Sequence, residues 1–335
     1  MSGTGTDGDR LPDEFTLIAD VLAPLAADPA AFGLGDDAAA LSPPPGCDLV
    51  LTKDLLVAGG HFFADDPPDA IARKALRVNL SDLAAKGARP LGYLLGLGLP
   101  RDFTASWMRD FARGLASDQT AYGITLYGGD TVAAPERLTL SVTAIGAVPA
   151  GRMVPRGGAR PGDLVAVTGT IGDAALGLQL RLDPALADRL GLTAGARYHL
   201  LDRYLLPRPR NAFAAALLAG ARAAMDVSDG LVGDLAKMAK VSGVRIVVDA
   251  GAVPLSEAAA EAVAADAGLL SVALTGGDDY EIAFAAGAEA MAGLLAAADE
   301  AGCGARVVGR VEAGQGIAVE GADGLDPANA SFSHF

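Results

Sequence analysis

From Asp13 onward the chain alternates between short apolar runs and polar, glycine-rich segments, and the period of each run predicts its local structure. Phe15, Ile18 and Leu22 fall at helical spacing ahead of a loop holding Gly33, Gly35, Asp36 and Asp37, and Leu49 to Thr52 reads as a strand. Ile71, Ala75 and Val78 mark the apolar face of a helix from about Asp69 to Lys86. A strand over Leu91 to Leu99, a helix over Ala105 to Ala116 with Trp107, Phe111 and Leu115 inward, and strands over Ile124 to Tyr127 and Leu138 to Ile145 complete a first α+β half. Pro149 to Gly162 has no apolar period and carries three Pro, four Gly and three Arg, so it marks the expected junction between domains at 13–149 and 150–335. A strand at Leu164 to Thr168, helices near Asp173 to Arg181, Asn211 to Ala221 and Asp229 to Lys240, and a strand at Arg245 to Asp249 predict a second, α/β domain. Residues Met1 to Pro12 have almost nothing to bury and read as a disordered tail.

Composition narrows the chemistry. A net charge of -15 disfavours nucleic acid and anionic membranes, so an anionic substrate needs metal ions as intermediaries. None of the five lysines follows a glycine, which rules out the GxxxxGK[ST] phosphate loop. Cys47 and Cys303 stand far apart and in no CxxC arrangement, as expected of a reducing compartment, and the polar N-terminus together with the short apolar runs predicts a soluble, cytoplasmic protein without a membrane span.

The acids carry the signal. Asp36, Asp37, Asp54, Asp82, Asp130, Asp226 and Asp229 are expected in turns after strands or at helix starts, where acids are common for structural reasons alone. Asp82 is the exception, because it continues the Ile71, Ala75, Val78 stripe and so lies on an otherwise apolar face. A carboxylate there needs a cation, and both Lys86 one turn on and a metal would serve. Asp226-Val-Ser-Asp229-Gly reads as a strand end turning into a helix capped by Ser228 or Asp229, with backbone amides able to hold phosphate. An ordinary capped helix gives the same pattern. Clustered carboxylates persist only around cations, and hard oxygen ligands point to Mg²⁺. Leu126-Tyr-Gly-Gly-Asp130 and Leu274-Thr-Gly-Gly-Asp278 echo one another as strands running into Gly-Gly-Asp, where the glycines would let a phosphate approach the backbone. His61 and Arg156 are equally compatible with surface or linker roles.

These segments resemble one family in order and combination: Gly33-Leu-Gly-Asp-Asp37, Asp54-Leu-Leu-Val-Ala-Gly-Gly-His61, Lys74-Ala-Leu-Arg-Val-Asn-Leu-Ser-Asp82, Gly128-Gly-Asp-Thr131, Asp226-Val-Ser-Asp-Gly230 and Gly276-Gly-Asp-Asp-Tyr-Glu281. The chain resembles the thiamine-monophosphate kinases from Glu14 to Phe335. The resemblance implies a two-domain, aminoimidazole-ribotide synthetase-like α+β fold, in which N-terminal domains pair as a homodimer through their sheets. It implies ATP and thiamine monophosphate as substrates, with Mg²⁺ held by Asp37, Thr52, Lys53, Asp54, Asp82, Asp130, Asp226 and Asp229. Gly129, Asp130, Arg156 and Ser228 would contact ATP, while His61, Asp278 and Asn329 would face thiamine monophosphate. Lys53, Asp278 and Asn329 depart from the family's commoner residues, and Lys53 would meet the metal through its backbone or hold phosphate. Phosphoryl transfer would be direct and in line, with no catalytic side chain beyond the metal ligands. Other synthetases of the superfamily are the nearest alternative, although the cysteines that mark selenophosphate synthetases and the hydrogenase-maturation protein are absent. A nucleotide-binding oxidoreductase rests only on the weak Gly169-Thr-Ile-Gly172 loop, and a non-catalytic metal binder would show no ATP turnover.

Overall fold

The strand expected at Leu49 runs further than its apolar residues suggest, because backbone pairing with its neighbour continues through its polar residues. In the computed structural model, which describes residues 9, 13–100, 102–134 and 136–322, β1 spans Cys47–Val57. Ahead of it, α1 (Glu14–Leu17) is capped by Asp13 and opens into a wider π turn over Ile18–Leu22. The wider turn rotates the apolar stripe, so Leu17, Leu22 and Leu25 are buried and Phe15, expected inward, is exposed.

The chain divides into two units. One runs up to Leu83 and resumes over Arg89–Gly151; the other takes Ala84–Ala88 and continues from Arg152. In the first, α2 (Pro68–Ala85), β2 (Arg89–Leu99), α3 (Ala105–Tyr122), β3 (Thr125–Ala133) and β4 (Thr139–Pro149) follow β1. The strands form a sheet of order β1-β4-β2-β3, antiparallel except for the β2–β3 pair, with β1 and β3 at its two edges. Arg77 on α2 clasps Asp118 on α3 through two hydrogen bonds of 2.6 and 2.9 Å, and Gln119 on α3 donates to the Tyr93 hydroxyl at 3.0 Å. The helices therefore lie on the sheet face that carries Tyr93, Leu95, Val142 and Ala144, all buried. The opposite face leaves Leu51 63%, Leu55 55% and Val132 53% exposed.

The second unit holds β5 (Leu164–Thr168), α4 (Asp173–Leu182), α5 (Leu186–Leu190), α6 (Ala194–Leu205), α7 (Asn211–Gly220), β6 (Ala223–Val227), α8 (Leu231–Ser242), β7 (Arg245–Asp249), α9 (Glu257–Ala265), α10 (Leu269–Thr275), β8 (Glu281–Ala286), α11 (Ala288–Glu300), β9 (Ala305–Glu312) and β10 (Gly316–Glu320). Its sheet has the order β10-β7-β9-β5-β8-β6 and is antiparallel except for β10–β7. Alternate strand residues are buried on both faces. Val165, Val167, Ala283 and Ala285 pack with α8, whereas Ala166, Ile282 and Phe284 pack with α7, α11 and the last residues of α2. Such continuous burial requires the near-continuous apolar runs that the sequence shows. Among the described residues, no helix is long and apolar enough to cross a membrane.

Candidate active site

The pleat of β1 sorts three consecutive candidate residues onto two faces. Thr52 and Asp54 share the helix-covered face with buried Val50 and Leu56, while Lys53 points to the other with Leu51 and Leu55. On the covered face the Thr52 hydroxyl donates to Asp82 Oδ2, which α2 brings over the strand. Asp82 thus stands where its helical stripe places it. Lys86, weighed as its partner, donates to the carbonyl of Ala224 at 2.6 Å. Burial, reinforced by the Asp82 charge and opposed by Lys53, pushes the Asp54 carboxyl up to about 7. A cation between these two acids would oppose that rise by stabilising both carboxylates.

On the other face, a cleft of about 840 Å³ lies within the first unit. Asp36, Asp37, Lys53, Gly129, Asp130 and Thr131 line it, so the structure gathers Asp37, Lys53 and Asp130 around one opening. The Lys53 ammonium donates to Ser141 Oγ on β4. Asp130 lies within β3 and pairs in register with Gly96, not in a turn after a strand. Asp54 and Asp226 likewise lie inside strands, so these acids, expected in turns, are held by regular structure. After β1, the Val57 amide donates to His61 Nδ1 at 3.0 Å, which places the imidazole proton on Nε2.

In the second unit, Asp226 is nearly buried at the end of β6, and Ser228 and Asp229 follow in a loop before α8. Neither is the helix cap: that position belongs to Gly230. The Ser228 and Asp229 amides, expected to be available to phosphate, donate instead to Asp234 Oδ2, each at 2.9 Å. Lys237 bridges Asp229 and Asp234, the latter at 2.8 Å. Sequence reasoning missed both residues, although Leu231, Asp234, Leu235 and Met238 share one helical face. Asp278 adjoins the same loop, its amide donating to Ser228 O at 2.9 Å from a left-handed backbone with φ +72°. Leu274, expected in a strand, lies in the last turn of α10, because a short apolar run does not distinguish helix from strand. Arg156 is exposed, and Asn329 lies outside the described residues.

Among the described residues no three or more His, Cys, Asp or Glu side chains gather closely enough to hold a metal. The donors that do meet, a carboxylate pair with a hydroxyl, fit magnesium, which takes one or two carboxylates and completes its shell with water and substrate phosphate. The glycine loop after β5 does not fit a dinucleotide. The Gly172 amide donates to Asp279 Oδ2 at 2.7 Å, and β5 is antiparallel to both its neighbours.

Two family models match the chain: AIR synthase related protein, N-terminal domain, over residues 35–148, and AIR synthase related protein, C-terminal domain, over residues 160–322. Thiamine-monophosphate kinase of Caulobacter vibrioides is 42% identical over 330 residues, covering 96% of this chain and 91% of the relative. The crystal structure of thiamine-monophosphate kinase from Stenotrophomonas maltophilia K279a superposes with a TM-score of 0.82 at 40% identity, covering 92% of this chain and 97% of that one. The structure of AaThiL complexed with AMPPCP and TMP gives a TM-score of 0.77 at 32% identity, covering 96% and 97%.

Proposed function

The chain belongs to the thiamine-monophosphate kinase family and is a kinase, and we propose that it transfers the γ-phosphoryl group of ATP to thiamine monophosphate, yielding thiamine diphosphate and ADP. The observation that carries this reading is the half-buried Asp54–Asp82 carboxylate pair beside Thr52, combined with the likeness to a relative complexed with AMPPCP and TMP. In the first unit Thr52, Asp54, Asp82, Asp37 and Asp130 would hold magnesium, and Asp226 and Asp229 would do so in the second, with Lys237 giving way at Asp229. When bound, magnesium supplies neutralisation of the phosphate charges that otherwise repel one another.

The chain's own residues do the positioning. Lys53 presents its ammonium to the cleft rather than to Asp54, which suits a phosphate contact. His61, with its proton on Nε2, donates to thiamine monophosphate. Gly129, Ser228 and Arg156 contact ATP, while Asp278 and Asn329 face the thiamine. The attacking oxygen belongs to a phosphate that is already ionised near neutral pH, so no general base is required and transfer is direct and in line.

The exposed apolar sheet face supports pairing of two copies in a cytoplasmic homodimer. Asp54 and Asp130 stand on the two edge strands and face opposite sides of the sheet. The test is incubation with ATP, Mg²⁺ and thiamine monophosphate: thiamine diphosphate and ADP should form in equal amounts, cease with EDTA and return with excess Mg²⁺. Absence of thiamine diphosphate from folded, Mg²⁺-supplied protein would overturn the reading.

A further inference from the structure

Between α10 and β8 the chain makes a short loop, Gly276 to Tyr280, in which two non-glycine residues adopt left-handed backbone angles: Asp278 at φ +72° and Tyr280 at φ +52°. Left-handed backbone is costly for a side chain such as tyrosine and persists where the surroundings over-determine it. The residue between them supplies the anchor. Asp279 is fully buried, and its carboxylate accepts from the amides of Gly172 at 2.7 Å and Ala174 at 3.2 Å, at the N-terminus of α4.

The other anchor is Arg203 on α6, which is 2% exposed. Its Nη2 donates both to the backbone carbonyl of Asp279 at 3.2 Å and to Glu281 Oε1 at 3.0 Å. Glu281 is itself fully buried and also accepts from Arg210 Nε at 2.6 Å and the Thr168 hydroxyl at 2.7 Å. Arg203 Nη1 has no hydrogen-bond partner among the described residues. A guanidinium buried with one nitrogen unmatched is a poor stabilising device, because an unpaired buried donor offsets what the paired ones contribute. What it does achieve is geometric. One nitrogen ties the middle of the loop to the first residue of β8, while the Asp278 and Tyr280 amides reach Ser228 O at 2.9 Å and Val227 O at 2.8 Å.

We propose that Arg203 is a positioning residue for the substrate end of the site: by fixing the carbonyl of Asp279 against Glu281 it holds the loop left-handed, so that Asp278 is presented beside Ser228. The inference rests on the proposed reading in which Asp278 faces thiamine monophosphate. Arg203 touches no reacting atom, so its loss is felt through the loop.

The test uses the full-length protein and the variants Arg203→Met and Arg203→Lys. With Arg203→Met, the KM for thiamine monophosphate should rise about tenfold or more, while the KM for ATP and kcat stay within about twofold. The amides of Asp278 and Tyr280 should lose hydrogen-exchange protection without a matching loss in β8. Arg203→Lys keeps the charge but not the fork and should recover part of both effects. It also serves as the test variant should Arg203→Met fail to fold. If wild-type protein makes thiamine diphosphate yet the folded variants keep the wild-type KM and loop protection, the positioning role is wrong. Equal rises in both substrates' KM, with protection lost throughout the unit, would likewise overturn it, as a purely structural effect. Failure of the wild type to phosphorylate thiamine monophosphate would overturn the functional reading instead, and the exchange measurement would still decide whether Arg203 holds the loop.

Discussion

Gly128-Gly129-Asp130 and Gly276-Gly277-Asp278 place the same three residues in two different backbones. The first is extended and lies wholly within β3, an edge strand; the second follows α10 and turns left-handed at its aspartate. In both, the second glycine permits a close approach of main chain to main chain. A Cβ on Gly129 would overlap the carbonyl oxygen of Leu95, and one on Gly277 would overlap that of Ser228. The first glycines differ: a Cβ on Gly128 would meet only Leu94 Cδ2 at 3.5 Å, an ordinary contact, while one on Gly276 would collide with Ala175. A repeated tripeptide thus does not imply a repeated site. The space the second glycines leave is taken on one side by the carbonyls of Leu95 and Ser228, and each aspartate is aimed by a different device, strand pleat in one case and left-handed φ in the other.

The sharpest contrast is chemical. Asp130→Asn should lower kcat about a hundredfold or more, roughly 2.7 kcal/mol of transition-state stabilisation, because it removes a metal-binding charge. Asp278→Asn should instead raise the KM for thiamine monophosphate with kcat little changed, since the contact is made equally in ground and transition states. Steady-state kinetics with each substrate varied in turn checks both. Equal falls in kcat would break the division of labour between the two segments.

How much of this was legible in advance depended on which side of an element was polar. The helical stripe Ile71, Ala75, Val78 exposed Asp82 as an acid on an apolar face, and the hydroxyl of Thr52 does meet it there. Arg203 carries the same signal, sharing one face of α6 with Ala196, Leu200 and Tyr204. Apolar alternation predicts only the part of β1 up to Thr52, because Thr52, Lys53 and Asp54 are all polar; both faces carry candidate site residues there, so the alternation fails where the proposed chemistry lies. The Asp279 and Glu281 anchors have no periodic signature, since they are set by contacts more than 70 residues away in sequence.

A second pair of substitutions tests the glycines. Gly129→Ala should destabilise by about 3 kcal/mol, because strands β2 and β3 must part to admit the methyl group, and Gly277→Ala by about 1–2 kcal/mol, because a loop yields more readily than a ladder. Gly128→Ala should fall within about 0.5 kcal/mol of wild type, unlike Gly276→Ala, which must displace Ala175. Urea unfolding of the four variants checks the order. A costly Gly128→Ala would show that the strand segment is as tightly enclosed as the loop.

The smallest effect comes from replacing each aspartate by glycine, and here the two segments should differ in kind. At Asp130 the backbone is extended, so glycine brings only its greater entropy in the unfolded chain and the loss of a side chain, a destabilisation of about 0.5–1 kcal/mol. At Asp278 the same unfolded-state entropy is lost, but φ is +72°, a region glycine enters without the steric strain an L side chain meets there. Aspartate tolerates this region better than most residues, so the relief is modest and the two terms nearly cancel, leaving a net change within about 0.5 kcal/mol. The prediction is therefore a difference: Asp278→Gly should keep its unfolding midpoint while Asp130→Gly loses part of its own, measured in metal-free buffer so that ligand binding does not mask either. A clear loss of stability in Asp278→Gly would mean that its side chain, and not the anchors at Asp279 and Arg203, holds the loop in its left-handed form.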